Sequence, residues 1–149
     1  NTPYMITGST NMNDKSWVFP SFAMTNGGTK LCLDLSTANS YVNIFVNGNF
    51  QLACTVQLKT TSNGSCADAS SYSQTDLKTY AKRIYMAVGG TTKFEQSAQF
   101  WVGTIFSQKD ITASSTLSIV GALYTKGAIS TGGGTTSIFV MSDYANSNW

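Results

Sequence analysis

The sequence predicts an all-β, single-domain fold of the β-solenoid kind, with a short helical or loop excursion near residues 60–82. The first observation is a repeat. Residues 103–107 and 121–125 both read Gly, small, aliphatic, aromatic, hydroxyl, and the second copy begins 18 residues after the first. The second observation is a series of aliphatic-aromatic couplets at near-regular spacing: Ile44-Phe45, Ile84-Tyr85, Ile105-Phe106, Leu123-Tyr124 and Ile138-Phe139. A recurring period predicts stacked coils, each of which repeats one strand position above the last.

The third observation is the alternation of apolar and polar residues in short runs between Gly-containing turns, which indicates β-strands. Such runs also fit an antiparallel β-sandwich of short strands, which is the alternative fold. Residues 1–149 are expected to form one domain, because a chain of this length can bury one sizeable core.

The first third of the chain contains three strand-like runs. Residues 1–9 are polar apart from an alternation at Tyr4 and Ile6, so they form either an edge strand or an arm that reaches another subunit. Apolar residues alternate over 17–24, where Pro20 breaks the ladder and suits a corner. After a turn at 26–28, Leu31, Leu33 and Leu35 alternate with polar positions, so one face of that strand is core.

Residues 41–58 form the longest strand-like segment. Two alternating runs are separated by Asn47-Gly48, the dipeptide most typical of a tight hairpin. The same dipeptide also makes the bend between two faces of a coil, so it fits both folds.

Residues 60–82 interrupt the repeat, which explains why the first gap between couplets is about twice the later ones. Residues 60–73 are rich in Ser, Thr, Asn and Gly and predict a loop. Thr75 and Asp76 are expected to cap a short helix that continues to Lys82.

Three cysteines make no metal motif, because the chain has no CxxC pair and no His. Cys54 and Cys66 flank a turn-rich loop, and a disulfide between them is the favoured reading for an oxidising compartment. A Cys32–Cys54 pair and three free thiols are the alternatives.

The composition indicates an extracellular or cell-surface protein. Charged residues make up only 11% of the chain, so Ser, Thr, Asn, Gln and Gly must cover its surface. The net charge is +2 with a single Arg and no dense basic run, which argues against nucleic-acid binding. No apolar stretch is long enough to span a membrane. A leader peptide is expected to be absent or already removed. Residues 142–149 are predicted to form a polar tail.

The residues that carry most enzyme chemistry are missing, so we predict no enzyme, no cofactor and no metal. Without His there is no imidazole base or ligand, and Glu95 is the single glutamate. Nothing in the spacing of the aspartates brings two together as a hydrolytic pair. The glycine run 132–134 lacks the Lys-Ser/Thr of a phosphate loop.

Three positions could serve recognition or modification. Trp17 and Trp101 are candidates for stacking on a ligand, although both sit within alternating apolar runs typical of half-buried strands. Asn63 begins an Asn-Gly-Ser sequence, which matches the acceptor pattern for a glycan.

Three phrases of the chain, at 41–52, 99–106 and 117–130, resemble the β-helical domains of bacterial pilus-associated proteins. Minor-pilin-like proteins of type IV filament systems and related surface proteins carry such domains. The likeness covers roughly residues 10–141 and lies in glycines at corners and in aliphatic-aromatic strands; the apolar pilin helix is missing. The resemblance implies an extracellular, non-enzymatic role in filaments or adhesion.

We therefore predict a structural subunit or adhesive domain of an extracellular filament. The first and last coils of a solenoid leave unpaired backbone groups, and a head-to-tail contact between them makes a fibre of identical copies. The expected joint lies at Tyr4, Met5 and Ile6 at one end and at Ile138, Phe139 and Val140 at the other. The alternative is a monomeric module that binds a surface polysaccharide.

Overall fold

Three β-sheets enclose the core of this protein. The structure, a computed structural model, describes residues 2–11, 16–96 and 99–132 and the backbone of 136–139. In chain order the strands and helices are β1 (Tyr4–Thr7), β2 (Trp17–Phe19), β3 (Phe22–Met24), β4 (Lys30–Asp34), β5 (Val42–Val46), β6 (Phe50–Leu52), β7 (Thr55–Lys59), β8 (Ala67–Asp68), a 3₁₀ turn (Ala69–Ser71), α1 (Gln74–Ala81), β9 (Ile84–Val88), β10 (Thr92–Phe94), β11 (Gln99–Ser107), β12 (Ile111–Ala113), β13 (Leu117–Thr125), β14 (Ile129–Thr131) and β15 (Thr136–Phe139).

The strands form three walls that the chain visits in turn. Wall 1 has the order β1-β4-β7-β8, wall 2 the order β2-β5-β9-β11-β13-β15, and wall 3 the order β3-β6-β10-β12-β14. Among the described residues, the ladders between strands are parallel except for the short β7–β8 pair. The predicted β-solenoid fold is confirmed, and the antiparallel sandwich is wrong, because each coil lies on the previous coil in the same direction.

The 18-residue sequence repeat matches the pairing register of β11 and β13. Gly103 pairs with Gly121 and Ile105 with Leu123 across neighbouring strands of wall 2. Two of the couplets, however, are out of register. Ile84-Tyr85 lies beside Val42-Asn43, two residues from Ile44-Phe45, and Ile138-Phe139 lies beside Ile119-Val120. A shift by an even number of residues keeps the same side chains on the same face, so the alternation alone cannot fix the register.

Gly103 and Gly121 occupy a backbone conformation that other residues rarely adopt, with φ of 115° and 147°. Residues 104–107 of β11 pair with β9, whereas residues 99–103 pair only with β13. A Cβ on Gly121 would meet the carbonyl oxygen of Gly103. The repeated glycine therefore lets the two long strands stack closely at the point where the pairing with β9 ends.

The core contains an aromatic stack that runs along the coils. Phe22 stacks on Phe50 with ring centroids 5.1 Å apart, and Phe50 contacts Phe94 at 6.1 Å and Trp101 at 5.8 Å. Trp101 and Phe94 are fully buried, with no exposed surface. The interior is thus filled by side chains contributed from successive coils.

Asn47-Gly48 forms a bend between walls 2 and 3. The amide N–H groups of Asn47 and Gly48 donate to the carbonyl oxygens of Phe19 and Pro20, at 2.9 and 2.7 Å. The corner of one coil is therefore held by the corner of the preceding coil, and no hairpin forms.

The excursion contains one short helix. Its N-cap is Ser73, whose Oγ accepts a hydrogen bond from the Asp76 amide at 3.2 Å, so the predicted cap at Thr75-Asp76 is two residues late. Leu77 and Ala81 form the buried face, and α1 packs against β11 and β13. No helix among the described residues combines the length and apolarity needed to cross a membrane.

The predicted Cys54–Cys66 disulfide is wrong, because Cys66 pairs with Cys32. Cys32 lies between Leu31 and Leu33, whose side chains are fully buried, so it faces outward from wall 1 and meets the loop that carries Cys66. Cys54 lies at the junction of β6 and β7 and is buried as a free thiol, with its Sγ 4.0 Å from Met24 Sδ. The Cys32 side chain therefore faces out of the coil toward the excursion, whereas the Cys54 side chain is buried inside.

Candidate binding surface on wall 2

The outer face of wall 2 carries one column of apolar side chains that we call the aromatic column. In β5, Ile44 and Val46 face the core, so Phe45 between them faces solvent. The ladder places five outward positions in one row across the coils: Val18, Phe45, Ala87, Phe106 and Tyr124.

This column concentrates the exposed apolar surface of the described residues. Val18 is 60% exposed, Phe45 37% and Tyr124 49%; they are three of the five large hydrophobic side chains that the described surface exposes. Ala87 and Phe106 between them are half-buried. Scattered apolar residues on a surface are ordinary, whereas apolar side chains aligned in one row make this face the candidate interaction site.

A groove crosses the column at Ala87. Phe45 and Phe106 lie one strand away on either side, so they stand roughly 10 Å apart with the methyl group of Ala87 between them. Tyr85 meets the Phe45 ring edge-on at 6.3 Å, and the amides of Asn47 and Gln108 line one end. The groove has a volume of about 380 Å³, and none of its lining residues is charged.

The other two walls differ from wall 2 in their outer faces. The outward row of wall 3 is Ala23, Gln51, Lys93, Thr112 and Ser130. Lys93 Nζ contacts Glu95 Oε1 at 2.7 Å, and this interaction lowers the pKa of the Glu95 carboxyl. The outer face of wall 1 is covered by the excursion through the Cys32–Cys66 disulfide and the hydrogen bond from Gln57 Nε2 to Asp68 Oδ1 at 2.8 Å.

The structure separates the two tryptophans that were candidates for ligand stacking. Trp101 has no exposed surface, so its predicted stacking role is wrong; its position in the core follows from the inward parity of β11. Trp17 is half-buried on β2, where its Nε1 donates to the Thr7 carbonyl oxygen at 2.9 Å. Ligand stacking at Trp17 stays a prediction.

The aromatic column was not predicted as a site, although Phe45, Phe106 and Tyr124 belong to the couplets that predict the fold. The signal was nevertheless present, because in a couplet such as Ile105-Phe106 the two side chains must point to opposite faces. If the aliphatic member belongs to the core, the aromatic member belongs to the surface.

The remaining predicted positions are placed but not tested. Tyr4 is 44% exposed on the edge strand β1, whereas Ile6 on the same strand is fully buried, and Met5 is half-buried. Ile138 and Phe139 lie on the edge strand β15, and Val140 is outside the described residues, as is the tail 142–149. Asn63 is exposed in the excursion, and its glycosylation stays a prediction.

The described residues hold no cluster of three His, Cys, Asp or Glu side chains that could bind a metal ion. The absence of enzymatic activity and of a cofactor stays a prediction.

Fold and surface together define a β-solenoid domain with a column of apolar side chains on the outer face of wall 2. It is similar to the solved structure of the DUF3494 domain of a Shewanella frigidimarina ice-binding protein, with a TM-score of 0.51 and 13% sequence identity. The match covers 91% of this chain and 51% of that structure, so the chain spans about half of its length. At this identity the likeness shows the fold alone. No family model and no curated protein matches the chain. The pilus-associated family therefore stays a prediction.

Proposed function

We propose that this chain is a non-catalytic, extracellular adhesive module that binds a neutral polysaccharide with the outer face of wall 2. The observation that carries the proposal is the aromatic column, in which Phe45, Phe106 and Tyr124 are aligned by the strand register. Four strand spacings along the column give a length of roughly 19 Å, which suits an extended polymer better than a small molecule.

The chemistry of the groove supports a sugar as the ligand. A sugar ring has an apolar C–H face, which packs on an aromatic ring, and hydroxyl groups at its edge, which bond to amides. The groove offers both, with Phe45 and Phe106 on its sides and Asn47 and Gln108 at one end. Its lack of charged residues favours an uncharged ligand.

Ice is the ligand named for the similar Shewanella domain, and it is an alternative for wall 2. The uneven surface of the column favours a sugar over ice as the ligand, because the small side chain of Ala87 lies between two phenylalanines and leaves a notch. A chain of sugar rings fits a notch, whereas a crystal plane fits an even surface.

The test is co-sedimentation of the purified chain with insoluble cellulose, chitin and ice. We expect binding to a polysaccharide, weakened about fivefold by Phe45→Thr and again by Tyr124→Thr, since each ring contributes roughly 1 kcal/mol. Thr112→Ala is the control, because Thr112 lies in the outward row of wall 3. Binding to ice alone, or binding that survives both substitutions, would refute the proposal.

End-to-end assembly into a fibre is a second proposal, supported by the open edges of the walls. β1, β2 and β3 are each the first strand of their wall, so their outer backbone groups have no strand partner among the described residues. In β3, Phe22 N–H and Met24 C=O bond to the β6 coil, at 3.0 and 2.7 Å. By the alternation of a parallel ladder, the N–H and C=O groups of Ala23 point toward the open end.

Ala23→Pro tests assembly because it removes one outward N–H group without breaking a bond inside the coil. We expect fibres of the wild-type chain in electron micrographs and monomers of the variant, with an unchanged circular dichroism spectrum. Monomeric wild-type protein at high concentration would contradict the second proposal and leave the first intact.

A further inference from the structure

Wall 1 is interrupted where walls 2 and 3 continue. Beyond β7 the next strand of wall 1 is β8, which pairs only with Gln57 and Leu58. No ladder among the described residues joins β7 to the first half of β11. The start of β7, at Thr55 and Val56, therefore borders a gap that the excursion holds open.

The gap forms a cleft with a volume of about 380 Å³. Thr55, Asp68 and Ser70 line one side, and the other side is lined by Phe100 of β11, Ser118 of β13 and Thr116 just before β13. The volume lies within the roughly 300–1,000 Å³ of small-molecule sites. Most of the side chains that line it are hydroxyls and carboxamides, so its chemistry differs from that of wall 2.

Gln99 is the feature that points to a ligand. Its side chain lines the cleft, the residue is only 7% exposed, and its Oε1 atom is buried without a hydrogen-bond partner. An unpaired buried acceptor destabilises a fold. The described residues hold three unpaired buried side-chain atoms, Gln99 Oε1, Trp101 Nε1 and Thr104 Oγ1, and of these residues Gln99 lines the cleft. A donor that enters the cleft would pair with Oε1 when the Gln99 side chain turns toward it.

The cleft is electrically balanced before any ligand enters. Asp68 Oδ1 lies 3.6 Å from Lys30 Nζ and accepts a hydrogen bond from Gln57 Nε2 at 2.8 Å. The Cys54 thiol below belongs to the lining, and burial raises its pKa, which keeps it protonated and neutral. A charged ligand would find no counter-charge here.

We propose that this cleft binds one neutral sugar unit, whose hydroxyl groups donate to Gln99 Oε1 and exchange hydrogen bonds with Thr55, Thr116 and Ser118. The half-buried ring of Phe100 offers an apolar surface for the C–H face of the sugar. The site is separate from wall 2 and does not depend on the binding proposed there.

The experiment is an amide NMR titration of the full chain with D-glucose, D-galactose, D-mannose and N-acetyl-D-glucosamine. We expect saturable shifts of the amides of Gln99, Phe100 and Ser118 with at least one of these sugars. Gln99→Leu is expected to weaken that binding about tenfold while raising the thermal midpoint, since a buried orphan acceptor is removed. Ser118→Leu, which fills the cleft, is expected to abolish the shifts, whereas Thr112→Leu on wall 3 is the control.

Two results would overturn this proposal. One is the absence of saturable shifts with all four sugars. The other is a Gln99→Leu variant that binds as the wild type does, or that loses stability, since loss of stability would show that Oε1 is satisfied within the fold. The Phe45→Thr, Tyr124→Thr double variant keeps the cleft intact, so failure at wall 2 and failure at the cleft are distinguishable.

Discussion

At the scale of single residues, Arg83 connects two segments that are far apart in sequence. Its Nε donates to the Ser40 carbonyl at 2.7 Å, and Nη2 donates to the carbonyls of Leu35 and Thr37 at 2.9 and 2.8 Å. Burial lowers the pKa of the guanidinium below its usual value, but an arginine side chain stays protonated in proteins. The end of α1 is thereby tied to the loop between β4 and β5.

Arg83→Lys is expected to lower the free energy of unfolding by about 2–3 kcal/mol, because an ammonium group cannot reach several carbonyls at once and leaves partly buried acceptors unpaired. Urea unfolding followed by circular dichroism measures the change. Lys78→Ala is the control, since Lys78 is an exposed cation on α1, and this variant should stay within about 0.5 kcal/mol of wild type. If Arg83→Lys stays within about 0.5 kcal/mol of wild type, the retained positive charge is sufficient and the hydrogen bonds to the three carbonyls do not stabilise the fold.

This role could not be predicted from sequence. Arg83 stands next to Lys82 at the end of a short helix, which indicates an ordinary solvated cation. Its partners lie 43 to 48 residues earlier in the chain and are mostly backbone carbonyls, which no residue type reveals. Only the stacking of coils brings them within reach.

At the scale of elements, the strands were predictable and their register was only partly so. Alternation identifies which side chains face the core, and the glycine phrase identifies the true 18-residue step, since Gly103 pairs with Gly121. Met86-Ala87 is the pair that continues the series from Ile44-Phe45, and it is not an aliphatic-aromatic couplet. The groove exists because a small residue stands there, so the sequence pattern was least visible where the candidate site is.

The disulfide shows a second limit of reasoning from sequence. Proximity along the chain favoured Cys54 with Cys66, but parity decides, because Cys32 faces the excursion and Cys54 faces the core. The covalent link encloses a segment with a sequence separation of 34 residues, including β5, β6 and β7.

Replacing both Cys32 and Cys66 with Ser is expected to lower the free energy of unfolding by ~3–4 kcal/mol, from the chain entropy that a loop of this size gains in the unfolded state. Cys54→Ala should leave the disulfide intact. Thiol titration in denaturant without reductant checks the pairing directly: one thiol is expected in the wild type and none in Cys54→Ala. Peptide mapping that links Cys54 to Cys66 would contradict it.

At the scale of the whole molecule, the stacking of coils aligns equivalent outward side chains into rows on the surface. Each coil contributes one outward side chain to the aromatic column, and the inward side chains of the same strand join the core. The strand register therefore sets both, with an 18-residue step from Phe106 to Tyr124 and a longer step where the excursion intervenes. The fold class and the parity of these positions follow from the sequence. The cleft does not, because it depends on how the excursion separates β7 from β11, and that arrangement is not repeated elsewhere in the described residues.

Deletion of one complete coil, residues 103–120, is the strongest test of the whole architecture. It joins Val102 to Gly121, so that Thr125 takes the place of Ser107, whose Oγ accepts from Thr92 Oγ1 at 3.1 Å. A hydroxyl is kept at that position, and each remaining strand finds an equivalent neighbour. We expect a shortened chain that folds cooperatively with a lower thermal midpoint, because stability in a solenoid is close to a sum over coils.

The matched control removes one residue fewer, 104–120, and joins Gly103 to Gly121. This change shifts every later strand by one position and turns core side chains such as Leu123 toward solvent. We expect the control to aggregate or to lose its cooperative transition in calorimetry. If both deletions behave alike, register does not organise this fold, and an aromatic column aligned by that register cannot be its binding surface.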